Sequence, residues 1–245
     1  MVARAAPDGY TLLAHTNAGI TILPHLNKSL PYDPLKDFAP VTLATSSPYL
    51  LVVHPKVAAK SVAQLIAFAK AHPGELNYAS SGGGASTHLA GLLFCRMAGV
   101  NMVHIPYKGS APAVTALLAG QVQTRFSSIP PALPHVRSGR LRALAVTSAK
   151  RFSLLPDIPT VAETLPAYEV DAWYGVFAPA GTPMLIIRKL NAEIAAAVRS
   201  PEVKALLETD GSEAVGSSPE RFATIIRAEF ARWEPVVKES GARID

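Results

Sequence analysis

Apolar residues recur at two different spacings along this chain, and each change of spacing marks an element. Val62, Leu65, Ile66 and Ala69 repeat every three or four positions behind a capping Ser61, and His-Pro-Gly at 72–74 stops the run. That spacing puts one apolar stripe on a helix. A short strand is expected over 75–80, then a helix over 87–98 that buries Leu89, Leu92, Leu93 and Met97 and stops at Gly99. The alternation continues with a strand at 102–107 and a helix capped by Ser110 that ends at Gly120. A strand at 122–127, a short helix ending at Gly139 and a strand at 141–148 complete the series. Strands alternating with single-helix crossovers predict a mostly parallel sheet covered on both faces.

Outside that block the pattern changes. Residues 149–167 are irregular and marked by prolines, and 168–179 is extended. Three helices follow, each opened by a hydroxyl and a proline: Thr182-Pro183, Ser200-Pro201 and Ser218-Pro219. The last should bury Phe222, Ile225, Ile226, Phe230 and Trp233, and Pro235 should end or kink it. Neither the first fifty residues nor the last seventy-five hold enough strands for a sheet of their own. The expected organisation is therefore two α/β lobes. One is continuous, residues 55–168; the other is assembled from residues 1–54 and 169–245. A cleft between two such lobes is a natural ligand site.

Composition narrows the function classes. The chain has 245 residues, 49% hydrophobic and 17% charged. The formal net charge is +5, but the basic residues are scattered without a dense block or interleaved aromatics, so nucleic acid is not an expected partner. No apolar run approaches the ~18 residues of a membrane span. One cysteine, Cys95, excludes an internal disulfide, and its apolar helix face points to an inert thiol. The histidines show no ligand spacing and no H-E-x-x-H, so no metal and no cofactor are expected.

The candidate chemistry sits in "NYASSGGGASTHLAG". Gly82, Gly83 and Gly84 lie between a strand and a helix start, flanked by Ser80, Ser81, Ser86 and Thr87, with His88 just inside the helix. Helix-start N–H groups lack intrahelical partners, and the helix dipole favours an anion there. No P-loop lysine follows, and the full dinucleotide glycine spacing is missing, so a carboxylate suits the loop better than a nucleotide. "PYKGSAP", with Lys108, Gly109 and Ser110, repeats the device after the next strand. Thr16, Asn17 and Ala18 follow the strand "YTLLAHT", and "FSSIPP" carries Ser127. Ends of strands in open α/β sheets are where ligands bind. Ser81 or Ser86 with His88 leaves a hydrolase or transferase as an alternative, although no G-x-S-x-G elbow is present.

Several blocks resemble a known family. "RAAPDGYTLL", "LPYDPLKDFAPVT", "LNYASSGGGASTHLAG", "HIPYKGSAPAVTALLAGQV" and "WYGVFAPAGTP" are similar to the substrate-binding proteins of tripartite tricarboxylate transporters, the Bug family. The resemblance covers essentially the whole chain. It implies a two-lobed type II periplasmic-binding-protein fold, each lobe a mostly parallel sheet flanked by helices, and a small organic carboxylate as ligand. It also implies a membrane permease as partner, a periplasmic location, a monomer and no catalysis. Carried over by position, the carboxylate loop is Ser80–Thr87 with His88, beside Lys108, Gly109 and Ser110, and the first lobe offers Thr16, Asn17 and Ala18.

Two departures from the family stand out. Family members open with a secretory signal, a strand and a Pro/Gly-rich loop. This chain begins on what reads as a helix tail, so its first lobe is expected to be incomplete at the N-terminus, and a truncated, non-binding remnant is a second alternative. The strand after Gln121 often ends in Phe-Asp in the family, where this chain has Phe126-Ser127. An Asp there can pair with a ligand ammonium. Its absence leads to the expectation of a di-, tri- or aromatic carboxylate rather than an amino acid. Arg125, two residues earlier, reads equally well as a solvated surface arginine.

Overall fold

The computed structural model describes residues 1–27 and 29–240. In chain order the strands are β1 (Leu13–Thr16), β2 (Phe38–Val53), β3 (Asn77–Ser80), β4 (Val103–Pro106), β5 (Thr124–Ser128), β6 (Arg142–Val146), β7 (Asp171–Pro179) and β8 (Glu213–Ala214). The α-helices are α1 (Leu23–Leu26), α2 (Val62–Ala71), α3 (Ser86–Ala98), α4 (Ser110–Leu118), α5 (Ile129–Arg137), α6 (Met184–Val198), α7 (Pro201–Thr209) and α8 (Pro219–Ser240). A π-helical turn, Ala18–Ile22, leads into α1. The fold is α/β, with mixed strand pairing flanked by helices. No helix among the described residues is long and apolar enough to cross a membrane.

The chain forms two compact units, Met1–Ser46 with Ala172–Asp245, and Ser47–Asp171. In the second unit the alternating block folds as its periodicity predicts. β3 pairs in parallel with both β4 and β5. The end of β2 lies between β5 and β6 and is antiparallel to each. Four strands therefore run one way and β2 runs against them. Successive residues alternate between faces of the sheet. Tyr78, Ser80, His104 and Phe126 share the face packed by α3, where Phe94 meets Phe126 at 5.7 Å and the Tyr168 hydroxyl donates to Ala90 O at 2.9 Å. Leu50, Val52 and Ala79 share the other face with Ala113, Ala116 and Leu117 of α4 and Ala132 of α5.

The first unit is less parallel than expected. β1 is antiparallel to β7, and β8 is antiparallel to β2. Strands drawn from opposite ends of a chain need no helical crossover, so the alternation argument does not constrain them. The core here is Ile20, Phe38, Leu43, Trp173, Phe177, Phe222 and Ile226, with Trp173 edge-on to Phe222 at 5.2 Å. Glu229 Oε1 accepts from Trp173 Nε1 at 3.0 Å, and its Oε2 accepts from the Thr21 hydroxyl at 3.1 Å.

Several local expectations need correcting. Ser200 and Ser218 do accept from the N–H groups of Val203 and Arg221. Thr182 does not cap α6: its hydroxyl donates to Pro179 O at 2.8 Å, and Pro183 is the N-cap. α8 runs through Pro235 to Ser240 rather than ending there, because Val236 and Val237 are buried beyond it. On α3, Leu89 and Leu93 are buried, but Leu92 and Met97 are only half-buried, and Phe94 takes the central place.

Candidate functional site

β3 delivers Ser80 to the end of the sheet, fully buried. Its hydroxyl donates to Gly82 O at 2.9 Å and accepts from Gly82 N at 3.2 Å, which folds the chain sharply after the strand. The Thr87 hydroxyl accepts from Ser81 N at 3.0 Å and lies 3.0 Å from Ser81 Oγ. Gly84 N donates to His88 Nδ1 at 3.1 Å, so His88 is neutral there with its proton on Nε2. Gly84 has φ 76°, a conformation that glycine tolerates and β-branched residues do not. The glycine loop thus holds its own shape. Ser86 and Thr87 are the first two residues of α3, and their N–H groups have no upstream helical carbonyl to meet. Gly83 is exposed, and a Cβ built on it meets nothing within 4 Å.

Behind the loop lies an aromatic stack. The His88 and His104 rings are 3.8 Å apart and nearly parallel, and Tyr78 lies 5.1 Å from His104. His104 Nε2 is 2.6 Å from Ser80 Oγ. Since the Ser80 proton goes to Gly82 O, His104 is the donor. Burial, helped by repulsion from His88, pushes the His104 pKa down to about 4, and burial lowers His88 as well. The stack is a neutral wall.

This arrangement disposes of the hydrolytic pairing. His88 bonds to Gly84 N and not to Ser81 or Ser86. Ser80 does touch a histidine, but it is fully buried and its hydrogen is committed to a carbonyl. Cys95 is half-buried, and burial pushes its thiol up to about 11, which keeps it inert.

β4 delivers the second loop. Tyr107 N donates to Ser80 O and Gly109 N donates to Ser81 O, each at 3.1 Å, so the starts of α3 and α4 are tied together. Lys108 is exposed. Gly109, not Ser110, is the N-cap of α4. The Ser110 hydroxyl instead accepts from Arg125 Nη2 at 2.8 Å. Of the readings left open for Arg125, the solvated surface arginine is excluded: Arg125 is fully buried, because β5 is covered on both faces. Its Nε and Nη1 have no hydrogen-bond partner, nor does Ser127 Oγ. Arg125 and Ser127 lie two apart on β5 and share the α4 face. Burial lowers the Arg125 pKa to about 10, so it is still charged at neutral pH.

The other predicted residues belong to the first unit. Thr16 ends β1 half-buried. Asn17 is buried, and its carbonyl lies 3.0 Å from the Thr21 hydroxyl, as an alternative acceptor to Glu229. Ala18 begins the π-helical turn, half-buried. Ser80–His88, Lys108–Ser110 and Ser127 all fall in the second unit, the first two groups at the two joined helix starts and Ser127 near the end of β5. Sequence reasoning overlooked Tyr78 and His104, which support the loop from beneath, and left Arg125 undecided. The available signal was the two-residue spacing of Tyr78 to Ser80 and of Arg125 to Ser127.

Residues 1–242 match the family described as "Tripartite tricarboxylate transporter family receptor". The chain is 39% identical to Protein BugT of Bordetella pertussis over 248 residues, covering 99% of this chain and 75% of that protein. A solved structure, "R. palustris Rpa4515 with adipate", is 40% identical with a TM-score of 0.78, covering 99% of this chain and 82% of the other. MatC from Rhodopseudomonas palustris with bound malate is 35% identical with a TM-score of 0.74, covering 96% and 82%.

Proposed function

Because the chain belongs to the tripartite tricarboxylate transporter receptor family, we propose that it captures a small organic carboxylate lacking an ammonium group, for delivery to a membrane permease of that transporter class. It does so in the periplasm, as a monomer, and without catalysis. The observation that carries this reading is the pair of helix starts joined by the Gly109–Ser81 hydrogen bond, both at C-terminal ends of parallel strands. The α3 start supplies N–H groups at Ser86 and Thr87 over a neutral histidine wall. A carboxylate needs only a few such donors. Solved relatives holding adipate and malate support a dicarboxylate. Ser127 in place of an acid leaves no carboxylate at the end of β5 for an ammonium.

The test is a thermal melt of this chain with a panel of di-, tri- and aromatic carboxylates, with glutamate, phosphate and ATP as controls. A ligand at a hundredfold excess over its dissociation constant should add about 2.7 kcal/mol of stability. The reading fails if no carboxylate raises the melting temperature, or if glutamate raises it more than every ammonium-free acid. Gly83→Val locates the site. Its side chain enters open space without strain, so it should abolish the ligand shift and leave the unliganded melt unchanged.

A further inference from the structure

We infer that Arg125 is the residue that makes this unit select a second carboxylate, by holding a buried, uncompensated positive charge beneath the start of α4. The inference rests on the carboxylate reading above and adds to it the residue that distinguishes a diacid from a monoacid. Arg125 is fully buried, and Nη2 donates to Ser110 Oγ at 2.8 Å, which aims the guanidinium at the first residue of a nine-residue helix. The N–H groups of Ser110 and Ala111 have no upstream helical carbonyl, and Pro112 has no N–H. Nε and Nη1 of Arg125 and Oγ of Ser127 are buried without partners. No described carboxylate makes an ion pair with Arg125.

A cation here has two costs. Its unpaired donors have left water, and it faces the positive end of a helix dipole. An anion seated at the α4 start removes both. The surroundings strengthen the effect, because Val52 and Ala79 oppose Arg125 in register and Ala113, Ala116 and Leu117 pack on the same face. In such apolar surroundings a fork of N–H donors meets a carboxylate with charge-assisted hydrogen bonds. The α3 start offers neutral donors and the α4 start offers a charge, so one molecule with two carboxylates satisfies both.

The probes are straight-chain dicarboxylates of three to eight carbons and terephthalate, each beside its monomethyl ester, titrated calorimetrically into the full chain. The wild type should prefer the best diacid over its half-ester by about 10- to 100-fold. Arg125→Met should lose that preference, its diacid affinity falling to that of the half-ester, while it still melts cooperatively. A preserved preference in Arg125→Met overturns the inference and leaves the carboxylate reading standing. If no diacid binds the wild type, the inference is overturned, and the carboxylate reading is decided by the thermal melts with the wider panel. Should Arg125→Met not fold, Ser127→Asp decides: its carboxylate shares a face with the guanidinium, takes it as partner, and should erase the same preference. An undiminished preference in Ser127→Asp overturns the inference.

Discussion

Two helix starts in the same unit are built in opposite ways. At α3 the side chains that shape the turn are neutral and already hydrogen-bonded: Ser80 to Gly82, Thr87 to Ser81, His88 to Gly84 and His104 to Ser80. At α4 the turn has little of its own, and a buried arginine waits beneath it with two of its three nitrogens unpartnered. The first is rigid before any ligand arrives, so its contribution is shape and orientation. The second carries unrelieved desolvation, so its contribution is charge. Stability should therefore reside in the α3 half and charge selection in the α4 half.

The harshest way to break this division is to unseat α3. Gly91 lets the helix lie on the Tyr78 ring, and a Cβ there would overlap that ring. Tyr78 is fully packed, stacked against His104, and has nowhere to go. Gly91→Val should cost about 3 kcal/mol in urea denaturation. A cost below about 1 kcal/mol would mean that the stack yields and the α3 turn is not rigid. Thr87→Val is the next step down. It removes the acceptor for Ser81 N without changing volume, so it should lose about 1–2 kcal/mol. An equal loss of carboxylate binding, seen by calorimetry, would tie the shape of the turn to the ligand.

The alternating block from Ser61 to Val146 was legible because crossovers leave few options, and the ends of its strands marked the two loops that meet at the starts of α3 and α4. The glycines and hydroxyls of the loop were also legible as a sharp turn from a strand into a helix start. What could not be read was where the hydroxyls point. Ser110 looks like a cap by position, but a capping role and an acceptor role for Arg125 require the same residue type. Arg125 itself was ambiguous because a charged residue inside a strand is ordinarily a surface residue. Pairing with β2 and β3 makes β5 an interior strand, and the burial of every residue from Thr124 to Ser127 shows that neither of its faces is wet. The antiparallel pairs of the first unit, β1 with β7 and β2 with β8, join segments far apart in sequence, beyond what periodicity reports.

Acid separates the two halves without a mutation. His104 falls from an ordinary 6.5 to about 4 on folding, and His88 is lowered too. Below pH 6.5 the unfolded chain takes up protons that the folded stack refuses, so stability present above that pH is lost as the pH falls toward 4. Arg125 stays charged up to about pH 10 and does not titrate in this window. Denaturation midpoints should therefore drop between pH 7 and pH 5, and His104→Phe, which keeps a ring in the stack, should flatten the drop. A drop of the same size in His104→Phe would place the responsible group elsewhere.

The smallest effect asks the sharpest question. If Ser110 were a helix cap, Ser110→Ala would cost about 1 kcal/mol whatever residue stood at 125. In the structure Gly109 is the cap, and Ser110 Oγ does one thing, accepting from Arg125 Nη2. Ser110→Ala should then cost about 1 kcal/mol in the wild type, because one more donor of a buried cation loses its partner. In an Arg125→Met background the same change should cost almost nothing, since no donor remains to be orphaned. The double-mutant cycle measures that difference as a coupling energy. A coupling near zero would return Ser110 to the role of a cap and would detach the α4 start from the charge beneath it. A coupling of about 1 kcal/mol would show that the hydroxyl is the hinge on which the guanidinium is aimed at the helix start.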